Sequence, residues 1–115
     1  MLSNEKWGLS ENGQTLIDAA NYMDEHGWCQ GAAGMPDGGV CLYGAIAAVT
    51  GAVNSGYGNR LLIDTASPNF ARFVAIQNLL ESKERFPLGA AYWNDKVAKS
   101  KEEVVAKLRE LAYLF

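Results

Sequence analysis

Apolar residues recur at helical spacing in four stretches of the chain. In the first, Leu16, Ala19, Ala20 and Met23 fall on one face, while Asp18, Asn21, Asp24 and Glu25 fill much of the other. The pattern predicts a helix from about Asn12 to His26, capped by Ser10 or Asn12. Gly27 stands where a glycine closes a helix in a left-handed conformation. The second stretch, Leu42 to Thr50, is almost wholly apolar and thin, with Gly44 followed by alanines at 45, 47 and 48. A helix that is apolar all round must be buried all round, so it is expected at the centre of the fold. Ser67-Pro68 gives a cap followed by proline at the first helical position, and predicts a third helix from Pro68 to about Ser82. Phe70, Phe73, Val74 and Leu80 mark its inner face. Ser100-Lys101-Glu102-Glu103 is a capping box. It opens a last helix whose stripe is Val104, Leu108, Leu111 and Phe115.

The segments between these helices are less regular. Gly34-Met35-Pro36-Asp37-Gly38-Gly39 is turn chemistry, and a short β-hairpin or an irregular loop between the first two helices both fit. Gly51 to Gly58 reads as a connection. Arg60 to Asp64 fits a short helix or a strand. Phe86-Pro87 breaks the third helix, Leu88 to Trp93 reads as extended, and Asn94-Asp95 reads as a turn. The expected fold is one domain over residues 1–115. It is mainly α, with α+β open: four to five helices surround a short buried central helix, and a short β-hairpin fits between helices one and two.

Composition narrows the function classes. With 115 residues, 49% of them hydrophobic and 20% charged, the chain can bury a core and is not disordered. The net charge is -3 and the ten basic residues are scattered, which argues against duplex nucleic acid as a partner. No apolar run approaches the roughly 20 residues needed to span a bilayer. The first five residues lack the basic and apolar regions of a secretory signal, so the expected location is the cytoplasm. Cys29, Cys41 and His26 do not make a four-ligand zinc site, so no metal is expected. In a reducing cytosol the two cysteines are expected as thiols.

Candidate chemistry clusters in a glycine-rich segment from Gly27 to Gly44 and in a second segment around Trp93. The glycines form neither a phosphate loop nor a dinucleotide fingerprint; no cofactor is expected. Trp28 and Trp93 sit beside glycines or a turn, where an indole serves as a platform for a planar ligand or as a core residue with its N–H tied to the backbone. Gln30, Asn94 and Asp95 offer polar recognition. The Gly31 backbone and Arg60 offer a place for an anion. Cys41, at the predicted start of the second helix, is the one candidate nucleophile. His26 would be its base and Asn94 or Asp95 the group orienting that base. A small buried cysteine at a tight helix start is the plainer reading. No complete nucleophile, base and orienter set is evident, so binding is favoured over catalysis. The expected binding set is Trp28, Gln30, Gly31, Cys41, Arg60, Trp93, Asn94 and Asp95. The enzyme alternative is a hydrolase or transferase using Cys41, His26 and Asn94 or Asp95.

Four motifs in order carry a resemblance: Gly27-Trp28 with Gln30-Gly31, Cys41-Leu42-Tyr43-Gly44-Ala45, Trp93-Asn94-Asp95, and Glu103-Val104. Over roughly residues 14 to 112 the chain resembles an uncharacterised family of small proteins found in actinobacteria and carried by many of their phages. Cys29 stands where that family more often has threonine or another small residue, and the loop at 34 to 39 is shorter here. The resemblance implies a shared fold and no assigned chemistry. Its phage distribution implies an accessory or anti-defence role, in which the protein sequesters a small nucleotide-like ligand, planar or anionic, or blocks a host protein.

Overall fold

The computed structural model describes residues 9–35, 37–54, 61–82 and 84–115. In chain order the elements are α1 (Glu11–His26), α2 (Leu42–Thr50), β1 (Val53–Asn54), β2 (Leu62–Ile63), α3 (Phe70–Leu80), the short α4 (Ala90–Tyr92) and α5 (Lys101–Ala112). Between α4 and α5 the helix continues through one π-helical turn, Trp93–Val97. The fold is mainly helical, with one small antiparallel sheet.

The start of α1 follows from its cap: the Ser10 hydroxyl accepts the Gly13 N–H at 3.0 Å. At the other end Gly27 closes the helix with its N–H on the Met23 carbonyl. Its φ is positive, at 105°, but ψ is 173°, so the chain leaves extended instead of entering the left-handed helical region. The apolar face of α1 packs most extensively on α5 and next on α2. A Cβ at Gly13 would overlap the Ala112 carbonyl, which sets how closely α1 approaches the end of α5. Lys101 Nζ reaches Asp24 at 3.3 Å along the rim of this contact.

The central position of α2 is as its apolar run predicts. Leu42, Ala45, Ile46 and Ala47 are fully buried, and Val49 is half-buried. The last helix also keeps its predicted cap and stripe. Ser100 Oγ accepts from Glu103 N at 3.2 Å. The Glu103 carboxylate reaches back one residue beyond the cap, to Lys99 N at 2.8 Å. Val104, Leu108 and Leu111 are buried. Phe115 is half-buried under the Arg85 guanidinium, 4.9 Å from its ring centre. Leu108→Ala is expected to cost about 2–5 kcal/mol, from lost transfer energy plus the cavity left behind. Urea unfolding checks this, and an unchanged midpoint would mean that the stripe is not core.

Three local readings need correction, and of the two forms that fit between the first two helices the irregular loop is the one observed. No regular hairpin joins α1 to α2 among the described residues. Val40 instead makes two isolated bridges, parallel to Trp28 and antiparallel to Gly34. The antiparallel pair lies between α2 and α3, where Val53 faces Ile63 and Asn54 faces Leu62; of the two readings left open for 60 to 64, the strand is the one observed over Leu62–Ile63. Helix α3 begins at Phe70, not Pro68: Ser67 accepts the Asn69 N–H as a cap would, but Phe70 N bonds to Ser67 O only three residues back, so residues 68 and 69 form a turn and the first α-helical bond runs from Phe73 N to Asn69 O. The stretch 88 to 93 is not extended. Ala90 starts a helix whose first N–H is taken by Glu81 Oε2 at 3.2 Å. Asn94 and Asp95 lie within the π-helical turn that continues it.

Candidate functional site

The chain leaving Gly27 runs beside the chain entering α2, as a fragment of parallel ladder. Val40 N donates to Gly27 O at 3.1 Å, and Cys29 N donates to Val40 O at 3.0 Å. The next rung of a parallel ladder would join Leu42 N to Cys29 O. That rung is filled by the side chain of Asn94. Its Oδ1 accepts from Leu42 N at 3.0 Å, and its Nδ2 donates to Cys29 O at 3.2 Å. A carboxamide has the same donor and acceptor as a peptide, so it completes the ladder where the two strands diverge.

Asn94 is 1% exposed and uses its full hydrogen-bonding capacity. Besides the two rung contacts, Oδ1 accepts the Trp28 indole N–H at 2.9 Å. Nδ2 also donates to Asp95 Oδ1 at 2.8 Å. The same carboxylate oxygen accepts from Gly31 N at 3.0 Å, while Asp95 Oδ2 makes no hydrogen bond among the described residues. Gln30 closes the arrangement from outside: its Nε2 donates to Asn94 O at 3.0 Å and Ala98 O at 3.3 Å. The π-helical turn explains that need. Ala98 N bonds to Trp93 O at 2.8 Å, so the next carbonyl looks outward for a donor. No buried side-chain nitrogen or oxygen lacks a partner among the described residues.

Two features of α2 complete the site. The Cys41 backbone is extended, and its sulfur accepts from Gly44 N at 3.3 Å, as the helix cap. Gly44 packs directly on the preceding loop, where a Cβ would overlap the Ala33 carbonyl. Burial pushes the Cys41 thiol above its ordinary pKa; the hydrogen bonds from Gly44 and Tyr43 oppose this, and the nearby Asp95 adds to it. Desolvation therefore outweighs the helix N-terminus at this thiol. Tyr43 donates its hydroxyl to Glu81, and burial together with that carboxylate pushes the phenol up as well.

These contacts frame a cleft of about 250 Å³ lined by Gly31, Ala32, Ala33, Cys41, Leu42, Tyr43, Ile63, Ala91, Asn94 and Asp95. Its walls are apolar apart from backbone groups, the Cys41 thiol and the two polar side chains of the π-helical turn. The structure thus brings Trp28, Gln30, Gly31, Cys41, Asn94 and Asp95 into one cluster. Trp28 supports the cleft through its bond to Asn94 and does not line it. Trp93 packs on Phe86, with ring centres 5.4 Å apart, and lines a separate apolar groove with Leu88, Tyr92 and Val97. Arg60 lies outside the described residues. His26, at the exposed end of α1, sits 3.2 Å from Glu25 and stacks on Tyr22. Its contacts and those of Cys41 share no residue, and Asp95 orients Gly31, not the imidazole. The sequence pattern did not mark Ala32, Ala33, Leu42, Tyr43, Ile63 and Ala91 as site residues. Ile63 reaches the cleft through a two-residue strand that has no local periodicity to betray it.

The fold and cluster define a small mainly helical protein in which the first three of the four motifs converge on one buried amide. A family model described as a family of unknown function, DUF6197, matches residues 10–114, and the chain belongs to that family. No curated protein and no solved structure matches the chain. No described helix is long and apolar enough to cross a membrane, and no described group of His, Cys, Asp and Glu side chains is placed to hold a metal.

Proposed function

We propose that the protein is a non-enzymatic binding protein, acting in the cytoplasm, that holds a small planar ligand in the cleft between residues 31–33, the start of α2 and the π-helical turn. The observation that carries this reading is the wall chemistry of the cleft: mostly apolar side chains and backbone surround one carboxylate, Asp95, with an oxygen that makes no hydrogen bond among the described residues. A flat ligand slides between Ala32, Ala33, Ile63 and Ala91, and its N–H groups meet Asp95 Oδ2. At about 250 Å³ the cleft lies just below the usual range of ligand pockets, about 300 to 1,000 Å³, so it suits nothing larger than a nucleobase-sized ring system. Asp95 and the lack of a lysine or arginine among the described lining residues favour a neutral base or nucleoside over an anion. Sequestering such a molecule fits the accessory, anti-defence role that the resemblance to phage-borne proteins implies.

Titration of isotope-labelled protein with bases and nucleosides tests this. Saturable shifts at Ala33, Ile63 and Ala91 are expected, weakened about tenfold or more by Asp95→Asn. Shifts absent for every compound, or equal in the variant, would overturn it. The rival is a cysteine enzyme, and it rests on Cys41 at a helix N-terminus within the cleft. Turnover abolished by Cys41→Ala in a folded protein, with a thiol alkylated quickly well below pH 8, would establish that rival. Slow alkylation that rises only with alkali is the result expected from burial.

A further inference from the structure

The ladder fragment that Asn94 completes also sets the two cysteines side by side. Trp28 and Val40 are paired in parallel, and paired residues on parallel strands share a face, while successive residues alternate. One residue further along, Cys29 stands opposite Cys41, on the face away from Trp28 and Val40. Adjacent strands lie about 4.8 Å apart, inside the range of about 4.4–6.8 Å that a disulfide spans between Cα atoms. Both cysteines also rest against the same short stretch of backbone. Cys29 Sγ donates to Ala32 O at 3.3 Å, and Cys41 N donates to Ala33 O at 3.0 Å. Both are thiols, and both residues are partly exposed. Asn94 parts the strands only beyond this pair, at Cys29 O and Leu42 N.

We infer that Cys29 and Cys41 are a reversible dithiol–disulfide pair, an oxidation site that moves the Cys41 sulfur from the cap of α2 onto Cys29. The oxidant class is a small disulfide such as oxidised glutathione. Cys29, on the loop, reacts first: its thiolate attacks the glutathione disulfide, forms a mixed disulfide and releases one glutathione thiolate. Cys41 then loses its proton and attacks the Cys29 sulfur, releasing the second. Two protein thiols are oxidised to one disulfide, one glutathione disulfide is reduced to two thiols, and the two protons end on the released glutathione. The Cys41 sulfur gives up its contact with Gly44 N, so the oxidised protein has a different cleft wall. The inference concerns the cysteines alone and does not depend on any ligand.

The experiment incubates the full chain at low micromolar concentration with mixtures of reduced and oxidised glutathione, quenches with iodoacetamide and weighs the products. The expected product is a monomer two hydrogens lighter, without alkyl label, that dithiothreitol restores. The Cys41→Ser chain should stop at one glutathione adduct on Cys29. A doubly glutathionylated chain, a disulfide-linked dimer, or two alkylated thiols at every ratio would each overturn the inference.

Discussion

Asn94→Ala is expected to lower the stability of the protein by about 3–5 kcal/mol, read as a fall in the urea midpoint with little change in slope. The variant removes an amide that serves four partners at once. It leaves the Trp28 indole N–H, the Leu42 N–H and the Cys29 carbonyl without their bonds, in a site where Asn94 itself is 1% exposed. Each orphaned buried group costs about 1–3 kcal/mol. The sum is tempered by whatever water enters the vacated space. Small domains hold only about 5–15 kcal/mol in total, so the loss is a large fraction of it. Asn94→Asp separates the amide's two ends. It keeps the acceptor for Trp28 and Leu42, loses both donors and sets a carboxylate beside Asp95. That variant should regain stability in acid, where protonation removes the repulsion. An Asn94→Ala protein as stable as the parent would show that the rung is not closed by this side chain.

Gly44→Ala is the second large effect, and helix propensity predicts the opposite sign. Within a helix, alanine is favoured over glycine by about 1 kcal/mol. At Gly44 the added methyl would overlap the Ala33 carbonyl, which is backbone and is already held by Cys41 N at 3.0 Å. Overpacking against side chains costs about 1–3 kcal/mol. Against fixed backbone the expected loss is about 3 kcal/mol or more, measured by chemical denaturation. Ala33 lines the cleft, so the loop shift should also alter the amide signals of Gly31 to Ala33. A neutral or stabilising result would mean that the loop does not rest on α2.

The helices with periodic or capped sequences were legible: Ser10 and Ser100 cap where the pattern places them, and the Leu42–Thr50 run is central because it has no polar face to expose. The errors from residue 88 to residue 95 fall where a distant partner decides the local form. Residues 88 to 97 carry no helical stripe, and their helix starts on a carboxylate from α3. Part of the cluster was legible: Trp28, Gln30, Gly31, Cys41, Asn94 and Asp95 do meet, while Trp93 lines a separate groove and most of the apolar wall was not marked. The geometry was not legible. Asn94-Asp95 looks like a self-bonded turn because nothing local shows that the Asn94 amide will leave its own backbone for partners 52 to 66 residues away.

Those separations have a consequence for the order in which the molecule assembles. A ladder closed by its own backbone can form as soon as both strands exist. Here the closing group is made more than fifty residues after the strands it joins. During synthesis the first ninety-three residues emerge before the amide that bridges Leu42 N and Cys29 O. Long-range closure of this kind is slow relative to helix formation. The Leu42 amide therefore becomes a timer for the docking of the π-helical turn, in the last quarter of the chain. In pulsed hydrogen exchange it should gain protection only when the π-helical turn docks, later than the amides deeper in α2, although it sits in that helix's own first turn.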